Sequence, residues 1–209
     1  KRTDGSVEVQ TGTDQWPLPI PLVEADGAWH FDTAAGKQEI LDRRIGRNEL
    51  SAMQAVLALY DAQKEYAEAD RNGDGVLEYA QRFRSTPGKR DGLIWPNDPA
   101  SPLGPLYGDE TKDGIYYGYR FRLLKGQGPA ARGGARDYVV NGRLTQGFAA
   151  VAWPAKFNDT GIMTFIISHD GRVYQKDLGP GTDAAARAMT RFNPDKSWTQ
   201  VPDAQLAVK

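Results

Sequence analysis

The pattern of apolar and polar residues divides the chain into one helical stretch and a series of short strands. Apolar residues recur at spacings of three and four at Leu50, Met53, Val56, Leu57 and Tyr60, and no Gly or Pro follows them before Gly73. This spacing places the apolar side chains on one helix face. It predicts a main helix that starts at a cap at Asn48 and runs for about twenty residues, a rod of ~30 Å.

The residues before this helix are predicted to form an N-terminal extension. Residues 1–19 have no periodicity and are interpreted as an arm. Asp26-Gly27 lies between two apolar runs, which is a strong short-range signal for a β-hairpin. A short helix is predicted from Gln38 to Arg44, with its end near Gly46. The predicted domains are therefore residues 1–47 and 48–209.

The C-terminal half is predicted to form an antiparallel sheet. Strand-like runs cover residues 115–124, 137–140, 148–153, 162–167 and 172–175. Asp170-Gly171 joins the last two runs as a tight hairpin. A final short helix is predicted from Asp183 to Arg191, with Thr182 as its cap. The fold class is therefore α+β: a long helix packed on an antiparallel meander, with an N-terminal hairpin extension.

The loop after the main helix has the oxygen spacing of a calcium site. The candidate ligands are Asp70, Asn72, Asp74, the carbonyl of Val76, and Glu78, directly or through water. Oxygens at loop positions 1, 3, 5 and 7 converge on one hard cation, and the glycine at position 6 (here Gly75) permits the sharp turn. The pattern predicts one structural calcium ion at the exit of the helix.

Two interpretations of this loop are open from the sequence. A paired helix-loop-helix site has a bidentate glutamate at position 12, where this chain has Gln81. One neutral oxygen there weakens affinity, so at most a single EF-hand-like loop is predicted. In the alternative, Asn72-Gly73 and Asp74-Gly75 simply end the helix by capping their own backbone.

Composition excludes several classes of function. The formal net charge of the 209 residues is -1, and basic residues are interspersed with acidic ones, so nucleic acid is not an expected partner. The sequence has no apolar run long enough for a membrane span. It also has no cysteine, and none of the common catalytic or nucleotide-binding motifs occurs, so no catalytic or cofactor-binding residue is assigned.

An enzymatic alternative uses carboxylates in the loop-rich middle of the chain. Asp91, Asp98 and Glu110 are candidates for the acid and base of a cell-envelope hydrolase or a carbohydrate-binding enzyme. Such an enzyme needs paired carboxylates about 5–10 Å apart in a cleft. Sequence does not give that separation.

Several long motifs resemble one bacterial family. They are residues 43–50 (RRIGRNEL), 65–83, 85–93 (STPGKRDGL), 101–106 (SPLGPL), 138–143 (YVVNGR), 161–165 (GIMTF) and 173–179 (VYQKDLG). They closely resemble domain-of-unknown-function family 2950, from about Trp16 onward. The resemblance implies an exported protein of a Gram-negative bacterium, with no assigned activity.

A weaker resemblance is to type IV pilins and the pseudopilins of type II secretion. Residues 49–69, the glycine-rich turn and the strands at 148–153 and 162–174 follow the same order as in those folds. Pilins begin with a hydrophobic half-helix, whereas polar residues precede the helix here. From the shared order of elements we expect a pilin-like fold, and from the absence of catalytic motifs a non-enzymatic binding or structural module. It would act in the periplasm or outside the cell, on an envelope or extracellular partner.

Overall fold

A computed structural model describes residues 3–96, 98–104 and 114–207 of the chain. The chain forms two compact units, Lys1–Arg47 and Asn48–Lys209. The long helix α1, Thr33–Tyr66, contributes residues to both units.

The first unit contains two antiparallel hairpins. They are formed by β1 (Gln10–Thr11) with β2 (Trp16–Pro17) and by β3 (Leu22–Ala25) with β4 (Ala28–Phe31). The second hairpin was predicted, and its turn residues Asp26 and Gly27 have the positive φ angles, 52° and 74°, that a tight hairpin turn requires. The interpretation of residues 1–19 as an arm was wrong, because β1 and β2 lie within it.

Helix α1 is a single element of 34 residues. Asp32 caps it: its Oδ1 accepts hydrogen bonds from the amides of Ala34 and Ala35, at 3.1 and 3.0 Å. The predicted break near Gly46 and the predicted cap at Asn48 were both wrong, because a glycine inside a helix costs only about 1 kcal/mol and its neighbours favour helix. No helix among the described residues is long and apolar enough to cross a membrane.

The second unit is built around a six-stranded antiparallel sheet. Its strands, in spatial order, are β14 (Thr199–Gln200), β13 (Val173–Asp177), β12 (Met163–Ser168), β11 (Ala149–Pro154), β6 (Tyr119–Leu124) and β5 (Ile115–Tyr116). Short two-residue strands connect β6 to β11: β7 (Gly126–Gln127) pairs with β8 (Arg136–Asp137), and β9 (Val139–Val140) with β10 (Arg143–Leu144). The predicted hairpin at Asp170-Gly171 joins β12 to β13 and is confirmed.

Two of the predicted strands are in fact broken. Residues 115–124 form a hairpin because Tyr117 and Gly118 adopt positive φ angles of 45° and 72° and reverse the chain. Residues 137–140 belong to two different strand pairs, β7–β8 and β9–β10, rather than to one strand.

The final helix is shorter than predicted, and a further short helix that was not predicted follows it. Helix α2 spans Thr182–Ala188 and helix α3 spans Asp203–Leu206. Gly181 is the residue before α2, and Thr182 is its first helical residue, with Oγ1 donating to the Gly179 carbonyl at 2.6 Å. Thr182 is therefore not the cap that was predicted.

The central strands β11 and β12 are buried on both faces. One core cluster joins Ala52, Val56 and Leu59 of α1 to Ala150, Ala152, Phe165 and Ile167 of the sheet. A second cluster, on the opposite face, contains Leu124, Phe148, Ala149, Val151, Trp153, Ile166, Ala186 and Phe192. The helix and the sheet therefore share one core, as predicted. A second layer of loops and α2 covers the other face of the sheet.

Truncation of Leu59 tests the core between helix and sheet. Leu59 is fully buried, whereas Leu50, in the same helix, is 44% exposed. Leu59→Ala should lower the free energy of unfolding by about 2–5 kcal/mol, because it leaves a cavity between α1 and the sheet. Leu50→Ala should change it by less than about 0.5 kcal/mol. Urea denaturation of both variants measures the difference, and equal losses would contradict this assignment of the core.

Candidate functional site

The Asp70 loop is organised by backbone amides that point at one carboxylate. Oδ1 of Asp70 accepts from the amides of residues 72, 73 and 74, at 3.2, 2.8 and 3.3 Å. Its Oδ2 accepts from the amide of Gly75 at 2.7 Å. These hydrogen bonds, that from Gly75 first among them, hold the pKa of Asp70 below its usual value. Asp70 therefore stays ionised and fixes the curvature of the loop.

Asn72, Asp74 and Glu78 come together on the other side of the loop. The Nδ2 of Asn72 donates to Oδ2 of Asp74 at 3.0 Å and to Oε1 of Glu78 at 2.9 Å. Oδ2 of Asp74 also pairs with Nη2 of Arg143 at 2.7 Å. The structure thus brings together three of the four predicted ligand side chains, and Asp70 bonds to the backbone amides instead. The side-chain amide of Asn72 and the guanidinium of Arg143 donate the hydrogen bonds that these carboxylates accept.

Gln81 differs from the metal ligand at position 12 of the usual loop, and Val76 is held in the loop through its amide. The amide of Val76 donates to Oδ1 of Asp74 at 3.0 Å. Gln81, at position 12, donates through Nε2 to the Gly142 carbonyl at 2.7 Å. Within residues 3–96, 98–104 and 114–207, no group of three or more His, Cys, Asp or Glu side chains is arranged to hold a metal ion.

The base of the loop is closed by a buried glutamine. Gln63 of α1 is fully buried, and its side chain makes a two-way pair with the backbone of Ala80. Nε2 donates to the Ala80 carbonyl at 2.9 Å, and Oε1 accepts from the Ala80 amide at 2.8 Å. The ends of the loop are therefore fixed against each other before any ion is added.

Asp91 and Asp98, the described carboxylates of the enzymatic alternative, accept hydrogen bonds from nearby backbone amides and form ion pairs with arginines. Asp91 accepts from the amide and hydroxyl of Thr86, at 2.7 and 2.8 Å; burial raises its pKa, but these bonds outweigh it and the net shift is downward. The backbone amide of Ala100 and the guanidinium of Arg90 lower the pKa of Asp98. A catalytic acid needs a raised pKa, so neither carboxyl is suited to that role. Glu110 lies outside the described residues.

A cavity of about 460 Å³ lies beside β6. Its lining comes from three segments, residues 81–83, 121–125 and 189–190. Most of this surface is apolar, and it includes Phe83, Leu123, Leu124 and Met189. The charged residues of the lining are Arg82, Arg122 and Lys125, and all of them are basic.

Arg122 is the basic residue of this cavity that is least accessible to water. Its Nη2 donates to the carbonyls of Ala186, at 2.6 Å, and of Met189, at the end of α2. Its Nε is buried and has no hydrogen-bond partner among the described residues. Burial, with a smaller contribution from Arg187, lowers the pKa of this guanidinium. Sequence reasoning missed Arg122; the available signal was a basic residue two positions before the apolar Leu124, on the same strand face.

His169 belongs to a half-buried polar network. Its Nε2 lies 3.1 Å from Nη2 of Arg136, and because arginine only donates, Nε2 accepts and the proton resides on Nδ1. Nδ1 is buried without a partner among the described residues. The ring of Tyr138 packs edge-on against His169, with 5.4 Å between centroids, and its hydroxyl donates to Oε1 of Gln127 at 2.9 Å.

Gly147 lies directly under this network. Its φ angle is 128°, and a Cβ added there would lie 2.7 Å from Nδ1 of His169 and 3.0 Å from the ring of Tyr138. A side chain at this position would therefore displace the histidine or the tyrosine.

The comparison with protein families gives one match, to residues 1–201, described as a protein of unknown function, DUF2950. This chain belongs to the DUF2950 family. The resemblance expected from the motifs is thereby confirmed. The DUF2950 match includes the Asp70 loop, the cavity beside β6 and the His169 network. No curated protein and no solved structure matches the chain.

The protonation of His169 should make this DUF2950 protein less stable in mild acid. Burial, and then Arg136, lower its pKa from the usual 6.5, against an opposing effect of Asp170. The unfolded chain therefore takes up this proton at a higher pH than the folded protein, so stability is lost as the pH falls below about 6.5. His169→Gln should reduce the fall in Tm between pH 7 and pH 5.

The matched control is His30→Gln, at an exposed position. It should keep the wild-type dependence of Tm on pH. Thermal melts of the three proteins at half-unit pH intervals measure this. A His169→Gln curve parallel to that of the wild type would contradict the assignment.

Proposed function

We propose that this protein is a non-enzymatic binding or structural module whose Asp70 loop takes one structural calcium ion. The observation that carries the proposal is the convergence of Asn72, Asp74 and Glu78 in a loop already curved by the amide bonds to Asp70. The ion would brace the connection between the end of α1 and the segment that returns at Ala80.

Preorganisation supports this assignment. The amides of residues 72–75 already point inward at Asp70, so binding does not have to fold the loop. The Gln63–Ala80 pair already fixes its base. An ion that enters such a loop loses little of its binding free energy to ordering of the chain.

The amide of Asn72 fits this proposal because its two ends are nearly isosteric. Nδ2 faces the carboxylates of Asp74 and Glu78. A rotation of about 180° around its terminal bond would present Oδ1 to an ion instead, in exchange for the hydrogen bond that Oδ1 accepts from the amide of Asp74 at 3.1 Å. The proposed ligands are then oxygens of Asp70, Asn72, Asp74 and Glu78 with the carbonyl of Val76. That set relies on neutral oxygens as well as carboxylates and suits a weak site.

A weak site fits a compartment with millimolar calcium. Extracellular calcium modules bind with dissociation constants of about 0.1–1 mM. We therefore place the module in the periplasm or outside the cell, with an envelope or extracellular partner. The long helix packed on an antiparallel sheet supports a pilin-like arrangement of the second unit, which superposition of this unit on pilin subunits would test.

Calcium should raise the melting temperature of chelator-treated protein. If the dissociation constant is about 0.1 mM, 10 mM calcium is about a hundredfold excess and stabilises by about 2.7 kcal/mol. For a chain of this size this corresponds to a shift of about 5–11 °C. Asp74→Asn should abolish the shift, because it removes a charged ligand from the centre of the loop.

Two controls make the calcium measurement specific. Asp61→Asn removes an exposed carboxylate on α1, outside the loop, and should keep the full calcium shift. Magnesium at 10 mM should give a smaller shift, since it requires a tighter octahedral set of ligands. No shift with wild-type protein, or an equal shift in Asp74→Asn, would refute the site. The loop would then be a turn that ends the helix.

Replacement of Arg143 should strengthen calcium binding. Its guanidinium lies 2.7 Å from Oδ2 of Asp74, where it competes with the ion for the same oxygen. Both side chains are partly exposed, so the pair contributes about 0.2–1 kcal/mol. Arg143→Gln should therefore lower the dissociation constant for calcium by about 1.5- to 5-fold in calorimetric titration.

The matched control is Arg187→Gln, which breaks the exposed ion pair with Asp183 far along the sequence from the loop. It makes the same change in net charge and should leave calcium affinity unchanged. An equal gain in both variants would mean that only the net charge of the protein acts on the ion.

A further inference from the structure

The cavity beside β6 combines an apolar wall with a guanidinium that has no counter-ion in the part of the chain that the structure describes. Arg122 forms no ion pair with any carboxylate among the described residues, and none of the described lining residues is acidic. The carbonyls of Ala186 and Met189 solvate its Nη2 but do not neutralise its charge. A partly buried guanidinium without a counter-ion carries a desolvation cost, and an anion in the cavity would relieve that cost.

The basic residues next to Arg122 also favour an anionic ligand. Lys125 is exposed and makes no side-chain hydrogen bond or ion pair among the described residues, so its ammonium is available at the rim. Arg82 also lines the cavity, but Thr86 and Asp91 already engage its guanidinium. Arg122 and Lys125 therefore supply the positive potential that an incoming anion meets.

The rest of the lining is suited to an apolar body. Phe83, Leu123, Leu124 and Met189 provide aromatic and aliphatic surface, and methionine adapts its shape to flexible chains. A volume of about 460 Å³ is within the usual range of small-molecule sites, about 300–1,000 Å³.

We propose that this cavity binds an amphipathic carboxylate, an aliphatic chain with one anionic head, with the head at Arg122 and Lys125 and the chain against Phe83, Leu124 and Met189. A carboxylate is preferred because its planar pair of oxygens matches the planar donors of a guanidinium. This site does not depend on calcium, so the two proposals fail separately.

Titration of the full chain with decanoate tests the proposal. Isothermal calorimetry in EDTA should give one site per chain, and 10 mM calcium in place of EDTA should leave the affinity unchanged. Arg122→Met should weaken binding by about tenfold or more, because a charge-assisted hydrogen bond inside the cavity is lost. Lys125→Met should weaken it by about 1.5- to 5-fold, as expected for an exposed charge.

Three comparisons make the result decisive. Lys196→Met, an exposed lysine outside the cavity lining, should bind decanoate like the wild type. Decanol and decyltrimethylammonium, which share the chain but not the carboxylate, should bind at least tenfold more weakly. Decyl phosphate should not bind more tightly than decanoate, since a preference for it would assign the head group as phosphate and overturn the carboxylate.

The proposal is refuted if wild-type protein does not bind decanoate below its micelle concentration. It is also refuted if decanol binds as well as decanoate, or if folded Arg122→Met retains wild-type affinity. Arg122 also binds the end of α2, so circular dichroism must show that this variant folds. If it does not fold, Lys125→Met and the comparison of decanoate with decanol decide the question.

Discussion

The burial of strand β11 on both faces is the constraint that the second unit depends on. Ala149, Ala150 and Ala152 have small side chains, which allow a layer to approach closely on each side of the sheet. One face takes α1, and the other takes the loops and α2. Because β6 pairs directly with β11, side chains of β6 also point alternately to the α1 layer and to the layer of loops and α2. Leu123 packs with the helix cluster, while Leu124 belongs to the opposite cluster.

Backbone dipoles stabilise two charged side chains of this unit, the carboxylate of Asp70 and the guanidinium of Arg122. Backbone amides surround the carboxylate of Asp70, and backbone carbonyls receive the guanidinium of Arg122. Dipoles of this kind lower the energy of an ion without cancelling its charge. Each centre therefore keeps its charge, negative at Asp70 and positive at Arg122.

Short-range signals in the sequence predicted the parts of the fold that local chemistry determines. The Asp26-Gly27 and Asp170-Gly171 hairpins follow from the turn residues alone. The unbroken helix through Gly46 was missed because the cost of one glycine is small beside the tertiary contacts of the helix. Leu50 was assigned to the apolar face and is exposed, since several positions fit the period equally well and packing selects among them.

The missed parts of the candidate sites depend on contacts between distant residues. Arg143 contacts Asp74 because β10 lies near the loop. The side chain of Arg122 extends from β6 on the face of the sheet that α2 covers, and there it binds the Ala186 carbonyl. No spacing rule links such pairs. The run Phe148–Trp153 did contain a usable signal, because an unbroken apolar strand indicates burial on both faces.

The fit of Gly147 beneath His169 and Tyr138 has an evolutionary consequence. A substitution at position 147 is blocked by two large rings and by a φ angle that side chains rarely adopt. Relatives that acquire a side chain there must first reduce both rings and reshape the backbone, and intermediate sequences would be poorly packed. The three positions are therefore expected to change together or not at all.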